Sequence, residues 1–226
     1  MVKNDYKKIL IWGAKSKARI IQKMLGDMGE RVSFLYDSYL DYPEFETNAQ
    51  FSNSKKDLKK FINQSTHFIV SIGGEYGMAR YLISQRLIDS NLEPISVISE
   101  SSTLDTTTKL GWGVQAMPGS IIHCYCDIGN AVIVNTNSCI DHECFIGNGV
   151  HVMGSAAVAG RVRIEDFVTI GTNATILPNL TIEKGAFIGA GALVNRGVKE
   201  NEVVIGNPAR VLRKNEHIYN LDDFLE

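Results

Sequence analysis

The 226-residue sequence predicts a small α/β domain followed by a parallel β-helix. Short strands alternate with helices over residues 1–100, and a strict six-residue repeat of aliphatic side chains runs through most of the remainder. We place the boundary between Ile98 and Ser102, where the run Ser-Glu-Ser-Ser is typical of a linker. The predicted domains are therefore residues 1–100 and 101–226.

The first domain is predicted from the order of its elements. Apolar runs that end at Gly or Asp predict strands, and apolar residues three and four apart predict helices. Their alternation favours a small Rossmann-like parallel sheet with helices on its faces. The predicted strands are Lys8–Trp12, Val32–Tyr36 and His67–Ile72, and the predicted helices are Ser16–Leu25, Lys55–Ile62 and Tyr76–Ser90.

The aliphatic repeat predicts the second domain. Every sixth residue from Leu104 to Val194 is aliphatic, and Glu200 ends the pattern. A period of six fits neither an α-helix nor an alternating strand. It is typical of a chain that turns a corner every six residues, so that three faces close a triangular coil and each coil stacks on the next. Glycines often follow the aliphatic residue, as in Ile128-Gly129, and we expect them at corners where a positive φ is needed.

Composition and charge argue against several kinds of partner. The net charge of −2 and the pI near 6.2 give no reason to expect nucleic acid or an anionic membrane. The apolar stretch from Ile9 to Trp12 is too short for a signal peptide, and no run approaches the roughly 18 apolar residues of a membrane span. We therefore expect a cytoplasmic protein with reduced thiols at Cys124, Cys126, Cys139 and Cys144.

Three strand ends in the first domain predict a ligand crevice. Gly13 follows the first strand and opens a helix, Asp37 ends the second strand, and Gly73 follows the third. Open α/β sheets bind nucleotides where the carboxyl ends of their strands meet. The loop lacks the further glycines of a dinucleotide fingerprint, so NAD is not expected. Asp37 is expected to accept hydrogen bonds from a ribose or base, and the alternative is that all three are ordinary turns.

A dense polar segment interrupts the regular β-helix at residues 135–143, and in it His142 is followed directly by Glu143. A histidine accepts a proton near neutral pH, and an adjacent carboxylate increases its basicity, as deprotonation of an attacking amine requires. In the predicted stack His142 falls between Cys124 and Gly160, and Gly160 leaves space beside the imidazole. The alternative is a purely structural histidine.

A metal site at His142 and His151 is the rival interpretation of the same segment. No metal is expected, because the spacing of the remaining histidines does not complete a ligand set. Those residues are His67, His123 and His217.

The end of the sequence carries a compact positive cluster. Pro208 is expected to end the coil pattern and redirect the chain, and an acidic tail follows the cluster. The phosphates of CoA are natural partners for such a cluster, and a solvated basic end is the alternative. The cluster consists of Arg210, Arg213 and Lys214.

Five motifs carry a resemblance to a known family. They are Asp141-His-Glu-Cys-Phe-Ile-Gly147, Gly149-Val-His151, Ala159-Gly160, Ile176-Leu-Pro-Asn-Leu180 and Gly206-Asn-Pro-Ala-Arg210. Nearly the whole chain resembles the nucleotide-sugar acetyltransferases typified by UDP-bacillosamine N-acetyltransferase, with GDP-perosamine N-acetyltransferases and sialic-acid O-acetyltransferase-like proteins as relatives. The resemblance implies a left-handed β-helix, against the usual right-handed crossover preference. It also implies acetyl-CoA as co-substrate and a homotrimer that holds acetyl-CoA between adjacent β-helices.

The resemblance further implies roles for individual residues. His142 matches the general base and Glu143 the acid that increases its basicity. The positions that match acetyl-CoA contacts are His151, Gly160, Thr172 and Ala190, with Arg210 in the cluster expected at its phosphates. The positions that match the nucleotide-sugar site are Lys15, Ser16, Lys17 and Asp37, with Gly13 and Gly73 beside them. Relatives often carry Gly-x-Gly-His where this chain has Lys15-Ser16-Lys17.

The sequence thus predicts an acetyl-CoA-dependent N-acetyltransferase that acts on a nucleotide-linked amino-deoxy sugar, with UDP expected, for surface glycan biosynthesis. One alternative is an O-acetyltransferase of a sugar such as sialic acid. A second is a non-catalytic β-helix that serves as a scaffold or binding surface. A flat ice-binding surface would need a threonine ladder on one face, and Thr169, Thr175 and Thr181 recur by six and so fall on different faces.

Overall fold

The computed structural model describes residues 7–215. The predicted acidic tail and His217 lie outside these residues. Within residues 7–215, none of the helices combines the length and the apolar character needed to cross a membrane.

The N-terminal part is a five-stranded parallel sheet flanked by helices, as predicted. The strand order is β3-β2-β1-β4-β5, with the short strands β3 and β5, which the sequence pattern did not predict, at the two edges. The elements are β1 (Ile9–Trp12), α1 (Ser16–Asp27), β2 (Val32–Tyr36), β3 (Gln50–Ser52), α2 (Lys55–Gln64), β4 (His67–Val70), α3 (Gly77–Asp89) and β5 (Glu93–Pro94).

The side chains of the central strand β1 point alternately to the two sides of the sheet, and helices cover both sides. Ile9 and Ile11 of β1 pack toward α1, whereas Leu10 and Trp12 pack toward Phe61 of α2 and the apolar side of α3. All four residues of β1 are buried, as is typical of a parallel strand between two helical layers.

The remainder is a β-helix of two-residue strands. They are β6 (Val97–Ile98), β7 (Thr103–Leu104), β8 (Lys109–Leu110), β9 (Gln115–Ala116), β10 (Ile121–Ile122), β11 (Asp127–Ile128), β12 (Ile133–Val134), β13 (Cys139–Ile140), β14 (Phe145–Ile146), β15 (His151–Val152), β16 (Ala157–Val158), β17 (Arg163–Ile164), β18 (Thr169–Ile170), β19 (Thr175–Ile176), β20 (Thr181–Ile182), β21 (Phe187–Ile188) and β22 (Leu193–Val194), followed by β23 (Glu202–Ile205) and β24 (Arg210–Lys214).

These strands form three parallel faces. Face 1 contains β6, β9, β12, β15, β18, β21 and β23, face 2 runs from β7 to β22, and face 3 runs from β8 to β20. Each predicted aliphatic residue from Leu104 to Val194 is the second residue of a strand, and all except Leu104 and Leu110 are buried. The threonines at 169, 175 and 181 lie on faces 1, 2 and 3, as their spacing predicted.

The predicted role of the glycines that follow the aliphatic residues is wrong. The left-handed backbone lies three residues after the aliphatic residue, at every sixth position from Gly113 to Gly191, with φ between +53° and +71°. Gly129 and Gly147 are needed for another reason: a Cβ on Gly129 would lie 2.8 Å from the carbonyl carbon of Gly147 in the next coil. Close stacking of backbone, rather than a positive φ, therefore selects glycine directly after the strand.

The β-helix begins and ends differently from the regular repeat. Val97–Ile98 already pairs with Gln115–Ala116 on face 1, so the first strand of the β-helix precedes residue 100. The division at residue 100 itself stays a prediction. At the far end Ile182 bridges Val198 and Ile188 pairs with Val204, which makes the last coil two residues shorter. Pro208 lies in the turn that sends β24 back antiparallel to β23.

The N-terminal part covers face 1 of the β-helix. Arg80 of α3 is fully buried and donates to the carbonyl oxygens of Ala131 and Gly149, at 2.8 and 2.7 Å. Gln115 donates to the carbonyl of Val70 at 2.8 Å.

Candidate functional site

A cavity of about 660 Å³ lies where the strand ends of the sheet meet the β-helix. The six residues predicted for the nucleotide-sugar site all line it: Gly13, Lys15, Ser16, Lys17, Asp37 and Gly73. Met117, Asn135 and His151 of the β-helix complete its wall. The crevice therefore belongs to both parts of the chain, which the sequence alone did not indicate.

Asp37 holds the first turn of this crevice. Its Oδ2 atom accepts a hydrogen bond from the backbone N–H of Ala14, and its Oδ1 atom accepts one from that of Tyr39, both at 3.0 Å. The side chain is 8% exposed. We expected this carboxylate to accept from a ribose or base, but both oxygens already accept from the backbone, so its first role is to fix the loop.

The start of α1 and Lys17 make the crevice suited to an anion. Lys15 is the N-cap residue, no side chain caps the helix, and its first turn contains no acidic residue. The first amides of a helix lack intrahelical partners and favour negative charge. Burial, and then the charge of Arg80, lowers the pKa of Lys17 to about 7. An anionic group in the crevice would offset that burial and favour the ammonium form.

His151 joins the N-terminal part to the β-helix. Its Nδ1 atom lies 2.9 Å from the carbonyl oxygen of Gly74, and its Nε2 atom lies 3.3 Å from the amide nitrogen of Asn135. Burial, and then the charges of Arg80 and Lys17, lowers its pKa to about 3. The imidazole is therefore neutral, Nδ1–H donates to the carbonyl, and Nε2 accepts from Asn135. The resemblance implied that His151 contacts acetyl-CoA, whereas the structure places it in the crevice wall.

His142 lies on a different part of the β-helix, at the corner between faces 2 and 3. We call this the histidine corner; it comprises residues 105–108, 123–126, 141–144, 159–162 and 177–180. The Nδ1 atom of His142 lies 2.9 Å from Oε2 of Glu143. A carboxylate accepts, so Nδ1 carries the hydrogen and Nε2 of the neutral ring keeps a free lone pair. The side chain of His142 is 39% exposed, which leaves that atom accessible to a substrate.

The neighbouring coil leaves space beside the imidazole of His142. A Cβ on Gly160, one coil further along, would collide with Nε2 of His142. Glu143 has a left-handed backbone (φ +58°), and Asp141 accepts a hydrogen bond from the backbone N–H of His142 at 2.8 Å. Gly160 therefore keeps the free nitrogen of His142 open, and the two acids fix the backbone and the ring.

The other residues predicted to contact acetyl-CoA are spread over the β-helix. Thr172 and Ala190 are exposed and lie at the corner between faces 1 and 2, with face 2 between them and His142. Arg210 is exposed on β24. Within one chain the structure thus brings together the predicted crevice residues, and separately His142, Glu143 and Gly160.

The described part of the chain offers no metal centre. In residues 7–215 no group of three or more His, Cys, Asp or Glu side chains is arranged to hold a metal ion. His217, which the metal alternative also considered, lies outside these residues. The four cysteines are free thiols, with Cys126 and Cys144 buried and Cys124 and Cys139 half-buried.

Sequence reasoning missed two residues that organise these sites. Arg80 joins α3 to face 1, and no local pattern distinguishes it from Arg86, the other cation of its helix. His123 lies next to His142, with ring centroids 6.4 Å apart. Stacking of residues three hexads apart places His123 directly under Asp141, so the repeat itself contained the signal for this second residue.

Comparisons with known proteins agree with this architecture. A family model of bacterial transferase hexapeptide, six repeats long, matches residues 161–196. PerB from Caulobacter crescentus, solved with CoA and GDP-perosamine, is 25% identical, with 91% of this chain and 97% of PerB covered and a TM-score of 0.84. WeeI from Acinetobacter baumannii is 26% identical, with coverages of 91% and 99% and a TM-score of 0.78.

The acetyltransferase domain of PglB from Neisseria gonorrhoeae, solved with acetyl coenzyme A, is 22% identical. It matches over 91% of this chain and 99% of its own, with a TM-score of 0.81. These matches confirm the predicted resemblance to the hexapeptide acetyltransferases and the predicted fold, a small α/β part followed by a left-handed parallel β-helix.

Proposed function

We propose that this protein transfers the acetyl group of acetyl-CoA to the amino group of a nucleotide-linked amino sugar. The observation that carries the proposal is the His142–Glu143 pair at an open corner of the β-helix, with the Nε2 atom of His142 beside Gly160. A neutral imidazole with one free nitrogen is the group that amine acylation requires.

The reaction follows from this geometry. As the acceptor amine attacks the thioester carbonyl, Nε2 of His142 takes the proton that the nitrogen loses. Glu143, bonded to Nδ1–H, stabilises the resulting imidazolium ion. The carbon–sulfur bond then breaks, and His142 returns the proton to the leaving thiolate of CoA. Because Glu143 is about half exposed, its contribution is small beside that of the base itself.

Two separate features of the β-helix suit acetyl-CoA, one at the histidine corner and one on β24. Gly160 provides the gap beside Nε2 that a side chain would fill, and the cations of β24 are exposed, as phosphate partners should be. PerB, the 25% identical protein, was solved with CoA together with GDP-perosamine. Acetyl-CoA is thus the co-substrate that we assign.

The nucleotide part of the acceptor is assigned to the crevice. The uncapped start of α1 and the buried ammonium of Lys17 favour a diphosphate there. Lys15, Ser16 and Gly73 line the crevice, and Gly13 shapes its first turn, where the left-handed backbone (φ +104°) and the contact with Ser71 exclude a side chain. UDP stays the predicted nucleotide, and the GDP-sugar held by PerB makes GDP the first compound to compare with it.

The separation of the crevice from His142 favours a homotrimer with shared sites. The crevice opens near Asn135, at the corner between faces 1 and 2, whereas His142 lies at the far edge of face 2. A sugar held in one crevice would then meet the histidine corner of a neighbouring copy. Large exposed apolar side chains on face 2 and the histidine corner, Ile121, Tyr125 and Leu177, would be covered by such a neighbour.

Light scattering tests the assembly, with an expected mass about three times the 25.0 kDa of one chain. A mixture of two inactive variants, His142→Ala and Lys17→Glu, should regain part of the activity if sites are shared between copies. A fully active monomer would contradict the trimer.

An acceptor screen tests the proposed reaction. Acetyl-CoA is supplied with amino sugars linked to UDP, GDP or dTDP, and with matched sugars that carry a hydroxyl in place of the amine. We expect CoA release and an N-acetylated product with at least one amino sugar, and none with the hydroxyl analogues. Transfer to hydroxyl acceptors alone would favour the O-acetyltransferase alternative, and no transfer at all would favour a scaffold. A cytoplasmic location and a role in surface glycan synthesis stay predictions.

A further inference from the structure

A second histidine shares the corner with the base. His123 follows β10 one coil before His142, and their ring centroids are 6.4 Å apart at an interplanar angle of 69°. At this separation the rings do not bond to each other directly, yet a single amine nitrogen between them can contact both. The side chain of His123 is 56% exposed, so a substrate has access to it.

Carboxylates lie on both sides of His123 along the stack. Its Nδ1 atom is 3.9 Å from Oδ1 of Asp141 in the next coil. Asp105 lies in the preceding coil; hydrogen bonds from Thr107 lower the pKa of Asp105, and the charge of His123 adds to this. The thiol of Cys124 is 3.2 Å from Nδ1 of His123. The charged and titratable groups around this imidazole are therefore Asp105, Asp141, Cys124 and His142.

The proposed reaction needs more than one proton acceptor. An amino sugar at neutral pH is mostly an ammonium ion, which cannot attack a thioester. It must lose one proton to become a nucleophile and a second when the carbon–nitrogen bond forms. His142 can hold only one of these protons at its single free nitrogen.

We propose that His123 takes the first of these protons, the one that the acceptor ammonium loses before attack. This inference rests on the proposed function. The ammonium nitrogen transfers a proton to His123 and becomes a neutral amine. The amine forms its bond to the acetyl carbon, His142 takes the second proton, and the carbon–sulfur bond breaks. His142 returns its proton to the CoA thiolate, and His123 releases its proton to solvent. One ammonium sugar and one acetyl-CoA thus give one acetamido sugar, CoA as the thiol, and one proton.

The pH dependence of the His123→Asn variant tests this role. A sugar amine with a pKa of about 8, as in α-amino groups, is roughly nine-tenths ammonium at pH 7 and almost wholly neutral at pH 9.5. The kcat/KM of the variant for the nucleotide sugar should therefore be about tenfold below wild type at pH 7 and close to wild type at pH 9.5. His142→Ala should be impaired at both pH values, because the second proton must be removed at either.

Three controls keep the test decisive. Lys109→Ala, on the exposed outer surface of face 3, should match wild type at both pH values. The affinity of His123→Asn for CoA, measured by calorimetry, should equal that of wild type, which shows an intact corner. His123→Gln is the second variant, with the same expected profile, should the asparagine variant fail to fold.

The outcomes separate this inference from the proposed function. An equal loss at pH 7 and pH 9.5 would assign His123 to sugar binding or to structure and overturn the inference, as would full activity of the variant at pH 7. Failure of the wild-type protein to acetylate any amino sugar would instead overturn the proposed function.

Discussion

Replacing His151 by asparagine is expected to make the protein less sensitive to acid. His151 is 4% exposed, and its pKa is lowered to about 3, mainly by burial and then by Arg80 and Lys17. In the unfolded chain the same imidazole titrates near 6.5. Because the folded-state pKa is the lower one, the unfolded state binds the proton first, and stability falls as the pH drops below about 6.5.

The size of the effect follows from these two pKa values. Each pH unit between these two pKa values lowers the free energy of unfolding by about 1.4 kcal/mol. The titration of His151 alone therefore lowers it by about 2 kcal/mol between pH 7 and pH 5. An asparagine can place its amide nitrogen where Nδ1 now donates to Gly74, so the link between the two parts of the chain is retained while the titration is lost.

Urea unfolding at pH 7 and pH 5, followed by circular dichroism at one protein concentration, measures this difference. Between pH 7 and pH 5 the free energy of unfolding of wild type should fall by about 2 kcal/mol more than that of His151→Asn. Equal losses in the two proteins would refute the assignment of His151 as a buried neutral link.

Three further substitutions test the two sites. Gly160→Ala should lower kcat with little change in the unfolding midpoint, because the added methyl group occupies the gap beside Nε2 of His142; steady-state kinetics and thermal unfolding check both. Glu143→Asn should lower kcat by only about fivefold, since an exposed ion pair contributes about 1 kcal/mol. Asparagine tolerates the left-handed backbone at this position. A fall in kcat as large as that of His142→Ala would contradict the minor role assigned to Glu143. Lys17→Met should raise the KM for the nucleotide sugar and leave that for acetyl-CoA unchanged, and it should raise the unfolding midpoint at neutral pH because a buried ammonium is removed. The opposite pattern of KM values would move the nucleotide out of the crevice.

Much of the fold was predictable because the six-residue repeat is a direct consequence of the triangular coil. The aliphatic positions from Leu104 to Val194 all occupy the same place in their strands. The short edge strands β3 and β5 were missed, since Gln50–Ser52 and Glu93–Pro94 lack an apolar pattern. The glycines after the aliphatic residues were misinterpreted, because contact between stacked backbones appears only once the coils are built.

The site residues that could be predicted are those whose position is set by the end of their own strand. Gly13, Asp37 and Gly73 follow parallel strands, and such strand ends must meet at one edge. The position of His151 was not predictable in this way, since it depends on how α3 and Arg80 dock on face 1. Periodicity within each part of the chain contains no information about that contact, so the place of His151 in the crevice wall was not foreseen. Its predicted contact with acetyl-CoA stays a prediction.

Substitution of His142 is the most direct test of its role as the catalytic base. Wild type and His142→Ala are compared with saturating acetyl-CoA and the best acceptor from the screen, and CoA release and N-acetylated product are both measured. Loss of a positioned general base lowers the rate by about 10²–10⁴, so we expect kcat to fall by that factor while the affinity for CoA is unchanged. A variant that keeps more than about half of the wild-type kcat would show that the amine reacts by positioning alone and would contradict the assignment of His142 as the base.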